Sequence, residues 1–569
     1  MAKCRSCTGL PVVFLISSIL LLSSCGGGTQ GSQPPQVEQT PPPNNLTGVL
    51  MWKGDSSGKG LFAGETTLTT VDVNVNQFGR IASFKTDGLL MAQPLYIHQL
   101  DMVQGGTHNV IILATENDTV YAIDADNPGT TPLWQRAYLD STKGITPAPD
   151  TSKAIGGQVG ITGTPFLDPK TATLYFVTAI SNNGAIQHWL RSIDVRTGQD
   201  VGAGSVQVQA SVAGDGKSSV NGQIAFDPTV ELQRFALNQV NGSILVGWGS
   251  FSDWNVYHGW LMAFDPTSLA LQAVFNPTTQ YQAVDDANGP SDHGGGGSLW
   301  AAGAGPAIDA QGNIYVNTAN GSFNADSGGN NYGDTMLRLN FLGNSFQVMD
   351  YFTPSSKACM DFDDLELGAG GVALLPSDFT NGTNLAVALT KEGRIYLVNT
   401  SNMGKFNSAS DQVIQEFMVG DQTCSESLSG ETEGPGWNRL YGNASYWNGN
   451  IYAGASSLPL RQYQFQNGVL NQSPIASSPT AYGLRGANTV VSANGTQNGI
   501  VWANEKQVTG TGVLHAYDAT NVSTELWNSA MNQGRDALGE GIAFSVPVVA
   551  DGKVIVTYDT RVGIFGELQ

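Results

Sequence analysis

Cysteine, basic charge, paired histidines and long apolar runs are all scarce in this sequence. Five cysteines in 569 residues are too few for a disulfide-built scaffold. Cys4 and Cys7 have zinc-ligand spacing but fall in the N-terminal leader described below, which leaves no Cys-x-x-Cys zinc site in the mature chain. No Cys-x-x-Cys-His stands anywhere to carry a haem, and no two cysteines are adjacent. The six histidines, at 98, 108, 188, 258, 293 and 515, include no pair at metal-ligand spacing, so zinc would need ligands gathered from distant parts of the chain. Lys and Arg number 26 against 47 Asp and Glu, a formal net charge of −21 that argues against nucleic acid or an anionic membrane surface as partner. Charged residues make up only 13% while glycines number 70, a balance suited to short strands and tight turns.

What is present begins with a leader. Lys3 and Arg5 precede the apolar run Leu10–Leu22, which at about 13 residues falls short of the roughly 20 needed to span a bilayer and reads as a secretory signal peptide, residues 1–24. "LSSC" at 22–25 resembles the lipobox of bacterial lipoproteins, which implies a lipid on Cys25. Residues 25–48 are rich in Gly, Pro and Gln without apolar periodicity and suit a tether. The expectation is a cell-envelope protein held to the membrane by its lipid alone. Gly26 lacks the aspartate associated with inner-membrane retention, which favours the outer membrane or cell surface.

Residues 49–569 read as one domain. "YAID" at 121–124 returns as "RSID" at 191–194, "MAFD" at 262–265 and "HAYD" at 515–518. The spacing of about 50 to 75 residues matches a four-stranded propeller blade with its loops. Hairpin signals such as Asn241-Gly242, Asn448-Gly449 and Asp551-Gly552 fall between apolar runs. Inner strands are expected at 92, 163, 223, 305, 371, 444, 488 and 544, giving an all-β, eight-bladed propeller with seven blades as the alternative. The last unit lacks an outer strand, and residues 79–88 are strand-like with no blade of their own. They are expected to complete the final blade and hide its edge.

"YAIDADNPGTTPLW", "RSIDVRTGQDV" and "HAYDATNVSTELW" resemble the repeat signature of the pyrroloquinoline quinone propellers, the quinoprotein alcohol dehydrogenase superfamily. The resemblance implies structural roles for Ala122, Asp124 and Trp134 and for Ala516, Asp518 and Trp527, the aspartate bonding turn backbone and the tryptophan packing between blades. In that family the cofactor lies between a tryptophan and an adjacent-cysteine disulfide, with calcium on acidic and amide side chains beside a catalytic aspartate. The absent Cys-Cys pair departs from this pattern, although the soluble glucose-oxidising relatives need neither that pair nor a haem.

Other motifs weigh less. "GDSSG" at 54–58 fits a nucleophile elbow in letters only, since no buried strand precedes it and no helix follows. "GDGKSS" at 214–219 lacks the first glycine of a phosphate loop, Ser211 standing there. The densest acidic cluster, Asp361, Asp363, Asp364 and Glu366, offers hard oxygen ligands suited to calcium without EF-hand spacing. Cys359 and Cys424, the cysteines left after the leader and Cys25, are candidates to pair in an oxidising exterior.

In a four-stranded blade the loops between second and third strands share a face with those leading to the next inner strand. The loops carrying Glu116, Asn117 and Asp118, Asp253 and Trp254, His293, Asn324 and Asp326, and the acidic cluster should therefore crowd together, with 116–118 at a solvent-facing tip. The leading expectation is a non-catalytic module that binds a protein, peptide or glycan on this face, with no catalytic residue and no resident cofactor. The alternatives are a pyrroloquinoline quinone dehydrogenase of sugars or alcohols, using calcium, and an outer-membrane assembly factor.

Overall fold

The computed structural model describes residues 45–151, 155–253, 255–282, 285–286, 289–290, 295–420 and 438–568. Eight antiparallel four-stranded units follow one another along the chain. Blade 1 comprises Leu95–Met102, Gly106–Ala114, Thr119–Asp124 and Trp134–Ala137, and blade 2 Phe166–Asp168, Thr173–Asn182, Ala185–Asp194 and Asp200–Gln207. Blade 3 comprises Asn238–Val240, Ser243–Ser250, Trp260–Phe264 and Leu271–Phe275, and blade 4 Ala307–Ile308, Ile314–Asn317, Met336–Leu342 and Ser345–Phe352. Blade 5 is built from Val372–Leu375, Leu385–Leu389, Arg394–Asn399 and Gln415–Met418, and blade 6 from Ser445–Trp447, Asn450–Ala453, Pro459–Gln466 and Ala476–Ala481. Blade 7 uses Ala487–Asn494, Gln497–Lys506, Gly512–Asp518 and Glu525–Asn528. Blade 8 takes Val548–Ala550, Lys553–Tyr558 and Arg561–Glu567 from the C-terminus and its outer strand, Phe78–Lys85, from the N-terminus.

The core is distributed between neighbouring blades. One apolar cluster joins blades 1 and 2 through Ile112, Leu167 and Leu174, and another joins blades 8 and 1 through Tyr96, Ile555 and Ile564. These contacts, with those between the intervening pairs, close the ring. Radial repetition lets one domain of this size bury its apolar surface in repeated interfaces, without a single growing centre.

The closing strand pairs antiparallel with the last one, from Phe78 opposite Glu567 to Lys85 opposite Arg561, as its sequence led us to expect. The third inner strand is a correction. Gln223–Ala225 pairs with Ser211–Ala213 in a separate hairpin, and the inner strand of blade 3 is Asn238–Val240, just before the Asn241-Gly242 turn. "QIAFDP" has the alternation of a strand, but the hairpin uses it first.

The repeated aspartate is a stitch. Asp124 accepts backbone N–H bonds from Asp126 (2.8 Å) and Asn127 (3.1 Å), and Asp518 accepts one from Thr520 (2.8 Å). Asp194 and Asp265 repeat the bond. Trp134 is half-buried and reaches the next blade, its indole N–H donating to the Val195 carbonyl at 2.9 Å. Trp527 is fully buried between Phe78 and Phe565.

The segment from Leu46 to Glu65 forms an inner belt that the sequence did not announce. Thr47–Val49 pairs with blade 1, so ordered contacts reach into the stretch assigned to the tether. The carbonyls of Leu50, Ser56, Ser57, Lys59 and Gly60 then accept, in order, from the N–H groups of Leu167 in blade 2, Ile308 in blade 4, Leu374 in blade 5, Tyr446 in blade 6 and Val491 in blade 7. Glu65 completes the circuit by accepting from Gly552 N in blade 8 at 3.0 Å. Innermost strands would otherwise present an unpaired edge to the channel, and the belt supplies its acceptors. "GDSSG" lies in this belt, where Asp55 accepts from Ser57 N and pairs with Lys59.

Candidate functional site

The belt crosses the channel. Lys53 is fully buried and donates at both ends: its backbone N–H to Gln93 Oε1 ahead of blade 1 (2.9 Å), and its Nζ to the Asn443 carbonyl ahead of blade 6 (2.9 Å). Burial lowers its pKa to about 7. Beside it Trp52 packs into the apolar cluster shared by blades 3, 4, 7 and 8.

At the mouth, where the chain enters each inner strand, three carboxylates converge. Oxygens of Asp253, Asp364 and Glu366 lie within 4.8 Å of one another. Asp253 comes from the loop between Ser243–Ser250 and Trp260–Phe264, and Asp364 and Glu366 from the connection between blades 4 and 5. Both aspartates adopt left-handed backbone, φ 56° at Asp253 and φ 54° at Asp364, which Asp tolerates better than most residues. The left-handed turn at Asp364 ends the helix Lys357–Asp363, its N–H bonding the Met360 carbonyl, and Glu366 follows two residues on.

Lys391, in the turn between the second and third strands of blade 5, bonds this group through Nζ: 2.6 Å to Asp364 and 3.3 Å to Glu366. Burial opposes its charge, yet the two carboxylates outweigh that and hold it protonated. Asp364, more exposed, keeps its charge against the cost of burial because Lys391 is beside it. Burial pushes Glu366 up to about 8 despite the same lysine. Asp253 is raised by burial and by the charge of Asp364. One ammonium thus serves three acids, and Glu366 holds a proton near neutral pH.

Trp300, ahead of blade 4, donates its indole N–H to Glu366 Oε2 at 2.6 Å, and its ring neighbours Phe544 (6.0 Å) and Tyr441 (6.4 Å). Asn320 donates from Nδ2 to Asp364 Oδ1 at 3.1 Å, while its own buried Oδ1 has no hydrogen-bond partner among the described residues. Carboxylates, an unsatisfied amide oxygen and a lysine together make a set that can exchange a proton or an ammonium for a divalent cation.

The four acids of the expected calcium cluster separate. Asp364 and Glu366 join the convergent group, whereas Asp361 pairs with Lys357 one helical turn earlier and accepts from Gly321 N. Asp363 is buried on another side of the helix, its pKa raised by burial against the pull of Arg439. Glu116 and Asp118 are correspondingly not a solvent-facing tip: they are buried, at 1% and 0% exposure, and only Asn117 is partly exposed. Glu116 accepts from Gly160 N and Thr162 Oγ1, and Asp118 from Ala179 N. Asn324 holds its own loop, bonding Gln280 and Asn331, and Asp326 is exposed. Cys359 is disulfide-bonded. Cys424, Trp254, His293 and Cys25 lie outside the described residues.

Sequence reading missed Lys391, Trp300 and Asn320 as site members. The only signals were a lysine in a "TKEG" turn after an apolar strand and a tryptophan after the glycine run 294–297.

The chain is an eight-bladed propeller of the quinoprotein alcohol dehydrogenase-like fold, with three carboxylates gathered among its loops. The solved structures it is similar to include quinohemoprotein alcohol dehydrogenase ADHIIG from Pseudomonas putida HK5, at 15% identity and TM-score 0.60 over 91% of this chain and 80% of that one. The quinohemoprotein alcohol dehydrogenase of Comamonas testosteroni gives 13% and 0.56 over the same shares. A europium-containing methanol dehydrogenase gives 14% and 0.58, over 91% of this chain and 98% of that one. At these identities the likeness concerns the fold. No protein-family model matches the chain, and no curated protein sequence matches it.

Proposed function

We propose that the protein is a cation-dependent oxidoreductase that uses a quinone cofactor at the channel mouth to oxidise alcohols or sugars. The observation that carries this is the convergence of Asp253, Asp364 and Glu366 beside Lys391, Asn320 and Trp300. This donor set fits the requirements of calcium and a flat quinone: hard oxygens, one amide oxygen without a partner among the described residues, and an indole at the channel. The missing adjacent cysteines leave one face of such a cofactor to other side chains. When bound, the quinone supplies a two-electron acceptor for the substrate's C–H hydrogen, and the cation polarises it. The chain's own part is electrostatic. Lys391 anchors charge at Asp364, and Glu366, held by the Trp300 indole, keeps a proton that it can exchange near neutral pH.

The test adds calcium and pyrroloquinoline quinone to purified protein, followed by cofactor absorbance and dye reduction with sugars and alcohols. Binding and turnover that Asp253→Asn and Glu366→Gln abolish support the reading. Absence of quinone binding in the folded wild type overturns it.

A second reading, a non-catalytic envelope lipoprotein that binds a protein, peptide or glycan through the same mouth or assists outer-membrane assembly, is supported by the missing cysteine pair and by the leader with Cys25. Among the described residues no helix is long and apolar enough to cross a membrane. Cys25→Ser should release the protein from the membrane fraction, and retention there would refute the lipid anchor.

A further inference from the structure

The face opposite the mouth carries the turns that join first to second strands and third to outer strands, and exposed apolar side chains gather there. Phe379 stands between Val372–Leu375 and Leu385–Leu389, Ile414 just ahead of Gln415–Met418, and Val469 and Ile475 between Pro459–Gln466 and Ala476–Ala481. All four are between 38% and 45% exposed. Their turns touch across blades 5 and 6. Gln415 accepts from Leu470 N at 2.8 Å and donates to the Leu470 carbonyl at 2.7 Å, joining the turn that carries Ile414 to the one that carries Val469. The Phe379 ring lies against Gly449, where an added Cβ would meet it at 2.9 Å, and 6.3 Å from the Tyr446 ring. Asn381 of the same turn reaches Gly468, whose added Cβ would lie 2.8 Å from Asn381 Nδ2. Charge is sparse: residues 467–475 carry none, and 376–384 only Asp378.

The chain enters the ring from this same face. Thr47 pairs with His98 and Val49 with Tyr96, antiparallel to an inner strand that runs away from the mouth. Leu46 N donates to the Pro169 carbonyl at 2.9 Å, in the turn between the first two strands of blade 2. Residues 25–44 therefore separate the lipid expected on Cys25 from a point on the far face, a reach of roughly 70 Å at full extension. We propose that the far face is a docking surface for a lipid bilayer, with Phe379, Ile414, Val469 and Ile475 entering the interface of a zwitterionic membrane and the mouth turned to water. Single exposed apolar residues are ordinary on any surface. Here four share touching, nearly uncharged turns on the side where the chain leaves the ring. A tether makes their contact with the membrane intramolecular, so that apolar contacts too weak to hold a free protein suffice for an anchored one. The uncharged turns and the net charge of −21 favour neutral headgroups over anionic ones. The inference goes beyond the quinone reading and borrows only the anchor of the second reading.

The experiment supplies that anchor artificially, so its result does not depend on acylation. The full mature chain with Cys25→Ser and an N-terminal hexahistidine tag is bound to phosphatidylcholine vesicles containing a nickel-chelating lipid. A polarity-sensitive dye is attached in Phe379→Cys, Val469→Cys or, in an exposed mouth-side turn, Val508→Cys, and the signal of the unsubstituted parent is subtracted. Dye at 379 and 469 should shift to the blue and be quenched by spin-labelled lipid, and dye at 508 should do neither. Phe379→Asp combined with Val469→Asp should melt like wild type and weaken retention at limiting nickel lipid by about tenfold. Exchanging phosphatidylcholine for anionic phosphatidylglycerol should also weaken retention. Unquenched dye at 379 and 469, equal quenching at 508, unchanged retention of the folded double variant or tighter retention on phosphatidylglycerol would each overturn the proposal. Native protein that Cys25→Ser fails to release refutes the lipid anchor and does not alter these readings.

Discussion

At the scale of single residues, Glu366 carries the clearest pH signature. Its carboxyl is raised from an ordinary value of 4.5 to about 8, first by burial, so the folded protein holds a proton that the unfolded chain has released. Stability from this group is present in full below about pH 4.5 and is lost as pH rises to about 8. Glu366→Gln keeps an acceptor for Trp300 and has no charge to bury. The variant should therefore gain on wild type between pH 5 and 8, by on the order of 1 kcal/mol or more, in denaturant melts without added cation. Equal pH profiles for the two proteins would show that Glu366 titrates normally. Calcium runs the other way: a carboxylate must lose its proton to coordinate, so wild-type affinity should strengthen toward pH 8 and level off above it. Half of this site was legible. Asp364 and Glu366 belong to a dense acidic run, and Asp253 lies in a loop that blade geometry puts on the same face. Lys391, Trp300 and Asn320 were not legible, because each joins the cluster from a separate blade connection and no local spacing reports that meeting. Asp361 misled because the helix Lys357–Asp363 gives it a lysine of its own.

Elements were easier to read where their residues pair locally. The Asp-led turn is a contact between neighbours in sequence, and it marked the blades correctly. Blade 3 was misread because its inner strand, Asn238–Val240, is too short to show alternation, while the side hairpin at 211–225 shows it well. The same register predicts different costs for two similar tryptophans. Trp134 is half-buried and keeps one indole bond, so Trp134→Ala should cost about 2 to 3 kcal/mol, whereas the fully buried Trp527→Ala should cost about 3 to 5 kcal/mol. Phe78 tests the closure itself. It meets Trp527 at 5.0 Å and Trp502 at 5.4 Å, so Phe78→Ala should destabilise by about 3 to 5 kcal/mol. Ile81→Ala, on the exposed side of the same strand, should stay within about 0.5 kcal/mol. Chemical melts of both variants would expose an error in register if their order were reversed.

For the whole molecule, the ring is closed twice, once at its rim by Phe78–Lys85 and once inside by the belt. The two closures have different physics. The rim strand adds a ladder and apolar contacts to one blade, whereas the belt distributes single acceptors to inner strands of many blades and fills the channel with Trp52 and Lys53. Deleting residues 45–63 leaves the rim strand in place. The folded state should then keep its β-sheet circular dichroism at low temperature. It should melt earlier, because inner-strand N–H groups exchange belt acceptors for water and Trp52 leaves the core, each bond being worth about 0.5 to 1.5 kcal/mol. Lys53 opposes the rest of the belt. Its pKa of about 7 lies below the usual 10.5, so the unfolded chain binds a proton that the folded one lacks between those values, and its stability contribution is lost as pH falls from about 10.5 to 7. Lys53→Met keeps the aliphatic stem and discards that cost, at the expense of one bond to the Asn443 carbonyl. It should melt above wild type at pH 7, with the advantage fading by pH 10. A deletion that melts like wild type would show that the belt is ornamental. A Lys53→Met protein that melts lower at pH 7 would show that the buried amine is held by more than its carbonyl partner.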